Sequence, residues 1–402
     1  MKKYTINLLV SLTVVLVLIA GINWFVNPFD IFRSAEIEGF NKYKPALGRY
    51  ERLSKTYQVR KLKPDYIILG SSRAVAIPAD YLVPDRMNGF NLALASGSTY
   101  EQMRMFQHAH EVNRLKRVVI GVDERLQSDV QQDFVEGRLA VTHDGEARGG
   151  FSTDIVQDIV AGLLSSDALQ ASLKTIKKQP QAGIEEYLRQ DKVERVFNAG
   201  GHRQMFWNME ASILDLFNAA DSDSCYQQGD REEYDDTKAR YYFQAMLERA
   251  YTDNVDFYVF FSPVHARIYE TWCLGGMWDQ IENTKRGVVA MVEEAAKRFG
   301  KKPFPVWDFT GYNSVTTEPV PEKGDRKSLM RGYWEGSHYS RVTAGFVLER
   351  MFGGDAAVPD DFGVLLTGEN IDEHLRNIYQ QHLSYAADNP DVIEEIRSLV
   401  RN

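Results

Sequence analysis

Three short blocks carry residues of the kinds that, brought together, attack an acyl carbonyl. Ser72 ends Gly70-Ser71-Ser72, directly after the apolar run Tyr66 to Leu69. Gly97 stands in Ser96-Gly97-Ser98-Thr99. His338 follows Glu335 by three residues in Glu335-Gly336-Ser337-His338. Nucleophilic acyl chemistry needs a hydroxyl, a base to take its proton, a group to orient that base, and N–H donors for the oxyanion. Ser72, His338, Glu335 and the backbone amides of Ser72 and Gly97 match those roles by type. Each block also has a plainer reading. Ser72 suits a helix N-cap equally well, and a histidine beside a carboxylate is commonly a surface pair.

The blocks require a scaffold that brings them together. Tyr66 to Leu69 is too short for a helix core and reads as a buried parallel strand, with Gly70 opening a turn at its carboxyl end. A second strand is expected at Phe90 to Leu94 and a helix from about Tyr100 to Asn113, with Thr99 and Gln102 resembling a capping box. Further strands follow at Arg117 to Asp123, Val255 to Phe261 and Phe304 to Asp308, and a helix at Arg341 to Phe352. Strand, helix, strand in this order implies parallel, right-handed crossovers. Ligands in such sheets bind outside the carboxyl ends of the strands, where all three blocks fall.

Between about 125 and 249 the strand signals stop and helical periodicity takes over, as at Ile155 to Leu164 and Ile213 to Ala219. This reads as a largely helical insertion, with a Gly-rich loop near 137–150. Its Phe197, Phe206 and Trp207 are expected in the insertion's own core, an aromatic sugar platform being the alternative. Residues 27–60 read as a juxtamembrane spacer leading into a first helix, Gly48 to Lys61, with 61–352 as the α/β domain and 353–402 as a helical tail.

Lys2 and Lys3 precede an uncharged apolar run from about Ile6 to Val26, long enough to span a bilayer. No small-x-small cleavage site is evident, so an uncleaved anchor over 1–26 is favoured over a signal peptide. The lysine flank predicts a cytoplasmic amino terminus with the remainder outside. The net charge of -9 offers no footprint for nucleic acid. Cys225 and Cys273 lack zinc-site spacing and are open to pairing or to burial as free thiols. No nucleotide-binding or metal-protease pattern occurs, so no cofactor and no metal are expected.

Together the three blocks resemble those of the SGNH/GDSL-type hydrolases. The likeness is greatest to membrane-anchored relatives that modify envelope polysaccharides, such as the alginate acetylation proteins and the D-alanine transfer protein. It covers roughly residues 61–130 and 250–352. It implies a flavodoxin-like three-layer α/β sandwich of about five parallel strands. It also implies Ser72 as nucleophile, His338 as base, Glu335 in place of the usual triad Asp, and Gly97 as an oxyanion donor. Ser71 replaces an Asp outside the triad. Asp123 occupies the place of an oxyanion Asn, and an ionised carboxylate accepts hydrogen bonds without donating. Asp123 is therefore expected to be protonated, or to face Arg73 or Arg125, or to leave the hole with backbone donors alone. His265 lines the same cleft or is a loop histidine without a catalytic role.

The resemblance implies a serine esterase or O-acyltransferase, acetyl being the expected acyl group, acting on an exported polysaccharide. It would sit in a bacterial inner membrane by a single span and face the periplasm or exterior. A membrane-bound O-acyltransferase is a possible partner. The alternative is an inactive scaffold of the same fold that binds glycan or such a partner.

Overall fold

A computed structural model describes residues 2–80, 87–150, 152–180, 184–216, 224–226, 235–354 and 357–401. They form a mixed α/β protein whose six-stranded sheet is mainly parallel. The strands are β1 (Tyr66–Leu69), β2 (Gly89–Asn91), β3 (Arg117–Val122), β4 (Asp256–Phe261), β5 (Val306–Asp308) and β8 (Val364–Leu366), with β6 (Tyr333–Glu335) and β7 (His338–Tyr339) forming a separate hairpin. The sheet order is β2-β1-β3-β4-β5-β8. All pairings are parallel except β5 with β8. The first five strands follow a doubly wound order whose direction switches between β1 and β3, where the crevice of such a sheet lies.

Residue type explains the centre of the sheet. Tyr66 to Leu69 are all buried, as are Val118 to Val122 in β3. A strand covered on both faces needs apolar side chains pointing both ways, and these β-branched and aromatic runs supply them. β8 was not foreseen. It is three residues long, two of them exposed, so it lacks the apolar signature of a central strand. The expected helical tail thus contributes an antiparallel edge strand before its helices Ile371–Asp388 and Pro390–Arg401.

The chain forms two compact units. One comprises 1–63, 107–114 and 131–190; the other comprises 64–106, 115–130 and 191–402 and holds the sheet. The first contains helix Lys2–Val26, which is long and apolar enough to cross a membrane. It also contains helix Glu51–Leu62, close to the helix expected over Gly48 to Lys61 at the end of the spacer. The stretch read as one insertion is largely helical, and it divides between the units near residue 190.

Two local readings need correcting. The helix Thr99–Val112 is capped one residue earlier than expected: the Ser98 amide donates to Glu101 Oε2 (3.1 Å) and the Glu101 amide to Ser98 Oγ (3.2 Å). That is a capping box with Ser98 and Glu101 in place of Thr99 and Gln102. Of the three aromatics assigned to the insertion's core, only Phe206 is buried; Phe197 and Trp207 are more than a third exposed. Phe206 packs edge-on against His265, inside the sheet-bearing unit. Residues 217–219 of the expected Ile213 to Ala219 helix lie outside the described residues; the helix is described as His202–Leu216.

Candidate active site

Ser72 lies in the turn after β1, and a glycine makes that turn possible. Gly70 has φ +143°, and a Cβ there would lie 2.6 Å from the Ala74 Cβ and 3.1 Å from the Gly121 carbonyl. Only glycine tolerates both the angle and the crowding. The chain then turns into a short 3₁₀ segment, Ala74–Ala76, and leaves Ser72 at the β1 end of the switch point.

Glu335 and His338 are cross-strand partners at the end of the β6–β7 hairpin, joined through Gly336 and Ser337. Residues opposite one another in an antiparallel pair bring their side chains close. Gly336 permits the hairpin to lie flat on its support: a Cβ there would lie 2.6 Å from Ile268 Cδ1. The Gly336 carbonyl accepts the His265 amide at 2.8 Å.

The hairpin delivers His338 to Ser72. His338 Nε2 lies 2.8 Å from Ser72 Oγ, and His338 Nδ1 is hydrogen-bonded to Glu335 Oε1. The carboxylate accepts the Nδ1 proton, which leaves the Nε2 lone pair facing the hydroxyl. Ser337 had no predicted role. Its amide donates to Glu335 Oε2 (2.9 Å), and its Oγ lies 3.1 Å from both Glu335 Oε1 and His338 Nδ1. Burial pushes the Glu335 carboxyl up, but the His338 and Ser337 hydrogen bonds outweigh it and hold the group below its ordinary value. Glu335 is buried, whereas the His338 side chain is 37% exposed, so a substrate can reach the histidine from outside.

Asp123 follows β3 across the switch point. Its Oδ1 lies 3.2 Å from Arg73 Nη1, so of the alternatives above it faces Arg73. The same guanidinium nitrogen donates to Glu124 Oε2 at 2.5 Å. Burial raises both carboxyls, but Arg73 reverses this only at Glu124, where its charge and hydrogen bond hold the pKa low. Asp123 stays raised, by burial first and then by the neighbouring Glu124 charge. Burial alone would lower the Arg73 pKa; the two carboxylates raise it instead. The cavity behind this cluster, lined by Arg73, Asp123, Ser262, Lys285 and Thr310, measures about 10 Å³. That is room for about one water.

Two predicted site residues have other duties. The Gly97 amide donates to the Leu94 carbonyl at 2.9 Å, closing the turn after β2. Glycine is needed there for close packing: a Cβ would lie 2.9 Å from the Leu94 carbonyl and 3.3 Å from that of Gly70. His265 does not line the cleft. It is buried and caps helix Ala266–Leu274, its Nδ1 accepting the Arg267 amide (3.2 Å) while Nε2 donates to the Glu318 carbonyl (2.8 Å). Burial pushes its pKa down to about 4.

Two buried clusters escaped the sequence reading. Lys285 Nζ donates to Asp308 Oδ2 (2.6 Å), Tyr269 OH (2.8 Å) and Thr310 Oγ1 (2.5 Å), and His374 Nε2 also meets Asp308 Oδ2 (2.8 Å). All three ammonium protons are used, which marks a structural ion pair. The second cluster surrounds the disulfide that Cys225 and Cys273 form. His382 Nε2 lies 3.2 Å from Cys225 Sγ, and His382 Nδ1 lies 2.9 Å from Glu270 Oε1. Among the described residues, Cys225, Cys273 and His382 form the group with metal-ligand spacing. Sulfurs joined in a disulfide carry no thiolate charge with which to bind an ion.

A scan against protein-family models finds none that matches this chain, and a search of curated proteins returns no match.

Proposed function

We propose that this chain is a serine esterase or O-acyltransferase of the SGNH/GDSL type, tethered to a membrane by Lys2–Val26. It would act outside the cytoplasm on an acylated polysaccharide. The observation that carries the reading is the hydrogen-bonded series Ser72–His338–Glu335 at the switch point of a parallel sheet.

In this reading Ser72 Oγ attacks an ester carbonyl as His338 Nε2 takes its proton, and the Glu335 carboxylate stabilises the imidazolium that forms. His338 returns the proton to the departing alcohol, leaving an acyl-serine. Water or a sugar hydroxyl, deprotonated by the same nitrogen, then resolves it. The Ser72 amide is the first oxyanion donor. Gly97 can serve only if its amide leaves the Leu94 carbonyl, and Asp123 only as the neutral acid. Each missing donor costs about 10²–10³ in turnover, so slow cleavage is expected.

A fluorophosphonate probe tests the nucleophile. Labelling of the wild type that vanishes in Ser72→Ala supports the reading. A folded wild type that does not label favours the second reading, an inactive scaffold that binds glycan or a membrane acyltransferase. The committed Gly97 amide and the carboxylate of Asp123 are what support that alternative. Direction of transfer is read by mass spectrometry with a labelled acetyl donor and a glycan acceptor. Label on the acceptor means transferase; label only in free acetate means esterase.

A further inference from the structure

Helix Lys2–Val26 does not stand alone in its unit. Its side chains are exposed from Lys2 to Leu18, and burial begins only at Ile19. The cover over the last two turns comes from a helical hairpin, Thr153–Leu164 and Ser166–Lys177. Asn23 is the joint. It is fully buried, its Nδ2 donates to the Leu163 carbonyl (2.9 Å), and its Oδ1 accepts from Ser172 Oγ (2.8 Å). An amide within an apolar span is costly unless a partner satisfies it, and the hairpin provides two. Gly162 tightens the fit, since a Cβ there would lie 2.4 Å from Ile31 Cδ1.

The hairpin also exposes apolar side chains, alongside Gln157, Asp167 and Gln170. Val156, Val160 and Leu164 recur at helical spacing along the first helix, and Leu173 and Ile176 along the second, all between 37% and 57% exposed. Lys174, Lys177 and Lys178 are exposed beside the latter pair. An apolar stripe flanked by lysines is the pattern of a helix lying in a membrane interface, the lysines reaching for headgroups. Depth agrees. From Ile19 to Val26 is about 10 Å along a helix axis, and interfacial helices bury their apolar face about 5–10 Å deep.

We infer that the hairpin 153–177 rests on the lipid surface where helix Lys2–Val26 leaves the membrane, with Val156, Val160, Leu164, Leu173 and Ile176 inserted among the acyl chains. The inference rests on reading Lys2–Val26 as a membrane anchor. The occupant is lipid because the stripe adjoins an exposed helix that already needs lipid to cover it.

The test uses the full chain in phosphatidylcholine/phosphatidylglycerol vesicles doped with a diazirine-bearing lipid, followed by irradiation, digestion and mapping of the adducts. Adducts are expected in 2–26 and in 153–177. The variant V156S/V160S/L164S should lower labelling of 153–164 at least about five-fold and leave labelling of 2–26 unchanged. Circular dichroism checks its fold, and Leu164→Ser alone replaces it if the triple variant does not fold. Adducts confined to 2–26 overturn the inference and keep the anchor. Adducts in neither segment overturn both. Undiminished labelling in the variants overturns the assignment of the inserted face.

Discussion

Glu335 and His338 meet across a hairpin turn; Glu270 and His382 meet between helices Ala266–Leu274 and Ile371–Asp388. In both pairs the carboxylate takes Nδ1 and leaves Nε2 to face something else. For His338 that is the Ser72 hydroxyl at 2.8 Å, with the imidazole 37% exposed. For His382 it is a disulfide sulfur at 3.2 Å, with the imidazole 8% exposed. A hydroxyl has a proton to give and becomes a nucleophile once deprotonated; a disulfide sulfur has no proton for a base to take. The same pair is a catalytic candidate in one place and packing in the other. The difference lies in what the second nitrogen faces and whether solvent reaches it.

The largest break comes at Ser72. Ser72→Ala should reduce cleavage of an activated acetyl ester on the order of 10⁴-fold or more while the circular dichroism spectrum stays that of the wild type. A variant that keeps a tenth of the wild-type kcat would put the nucleophile elsewhere. Glu335→Gln comes next. It preserves shape but removes the charge that stabilises the imidazolium, and should lower kcat by roughly 10²–10⁴-fold. Glu270→Gln in the same assay should stay within about two-fold of wild type, since it touches none of the reacting groups. Equal losses from the two glutamates would erase the distinction drawn between the pairs.

A third histidine extends the comparison to pH. His265 has both nitrogens committed and a pKa pushed down to about 4. Between there and the unfolded value of about 6.5, the unfolded chain binds the proton and the folded one does not. Stability from this site is therefore complete above about 6.5 and declines on acidification toward 4, by on the order of 3 kcal/mol. Urea midpoints of wild type and His265→Gln across that window should converge as pH falls; parallel curves would refute the account. Glu335 acts lower, its contribution being present above the ordinary carboxylate value and lost as pH drops through its depressed folded value. The smallest effect expected is on stability in Glu270→Gln. Weakening one charge-assisted hydrogen bond to His382 and another from Tyr312 should cost about 1–3 kcal/mol by urea denaturation. A change below the error of the measurement would make that buried pair dispensable.

What could be read without coordinates follows from local physics. Tyr66 to Leu69, Arg117 to Val122 and Asp256 to Phe261 announce themselves as strands because a doubly covered strand must be apolar throughout. Arg341–Phe352 begins where Ser340 caps it, its Oγ accepting the Val342 amide. Ser72, Glu335 and His338 were singled out because each block holds the right residue type at a turn. Where composition is weak, the reading failed. β8 is short and exposed, and Phe197, Phe206 and Trp207 look alike in sequence although only Phe206 is buried.

Tertiary structure alone decided the direction of single bonds. Nothing near His265 reveals that a carbonyl 53 residues later holds its second nitrogen. Asp123 and Glu124 are neighbours with the same charge, yet Arg73 Nη1 hydrogen-bonds Glu124 and lies only within ion-pair distance of Asp123. Residue type sets which bonds a group can make. Which bond it does make depends on groups that the chain brings back from 51 to 266 residues away, as His338 is brought to Ser72. Sequence can therefore nominate the serine, the histidine and the glutamate, while the orientation of the amides and carboxylates around them is a property of the fold.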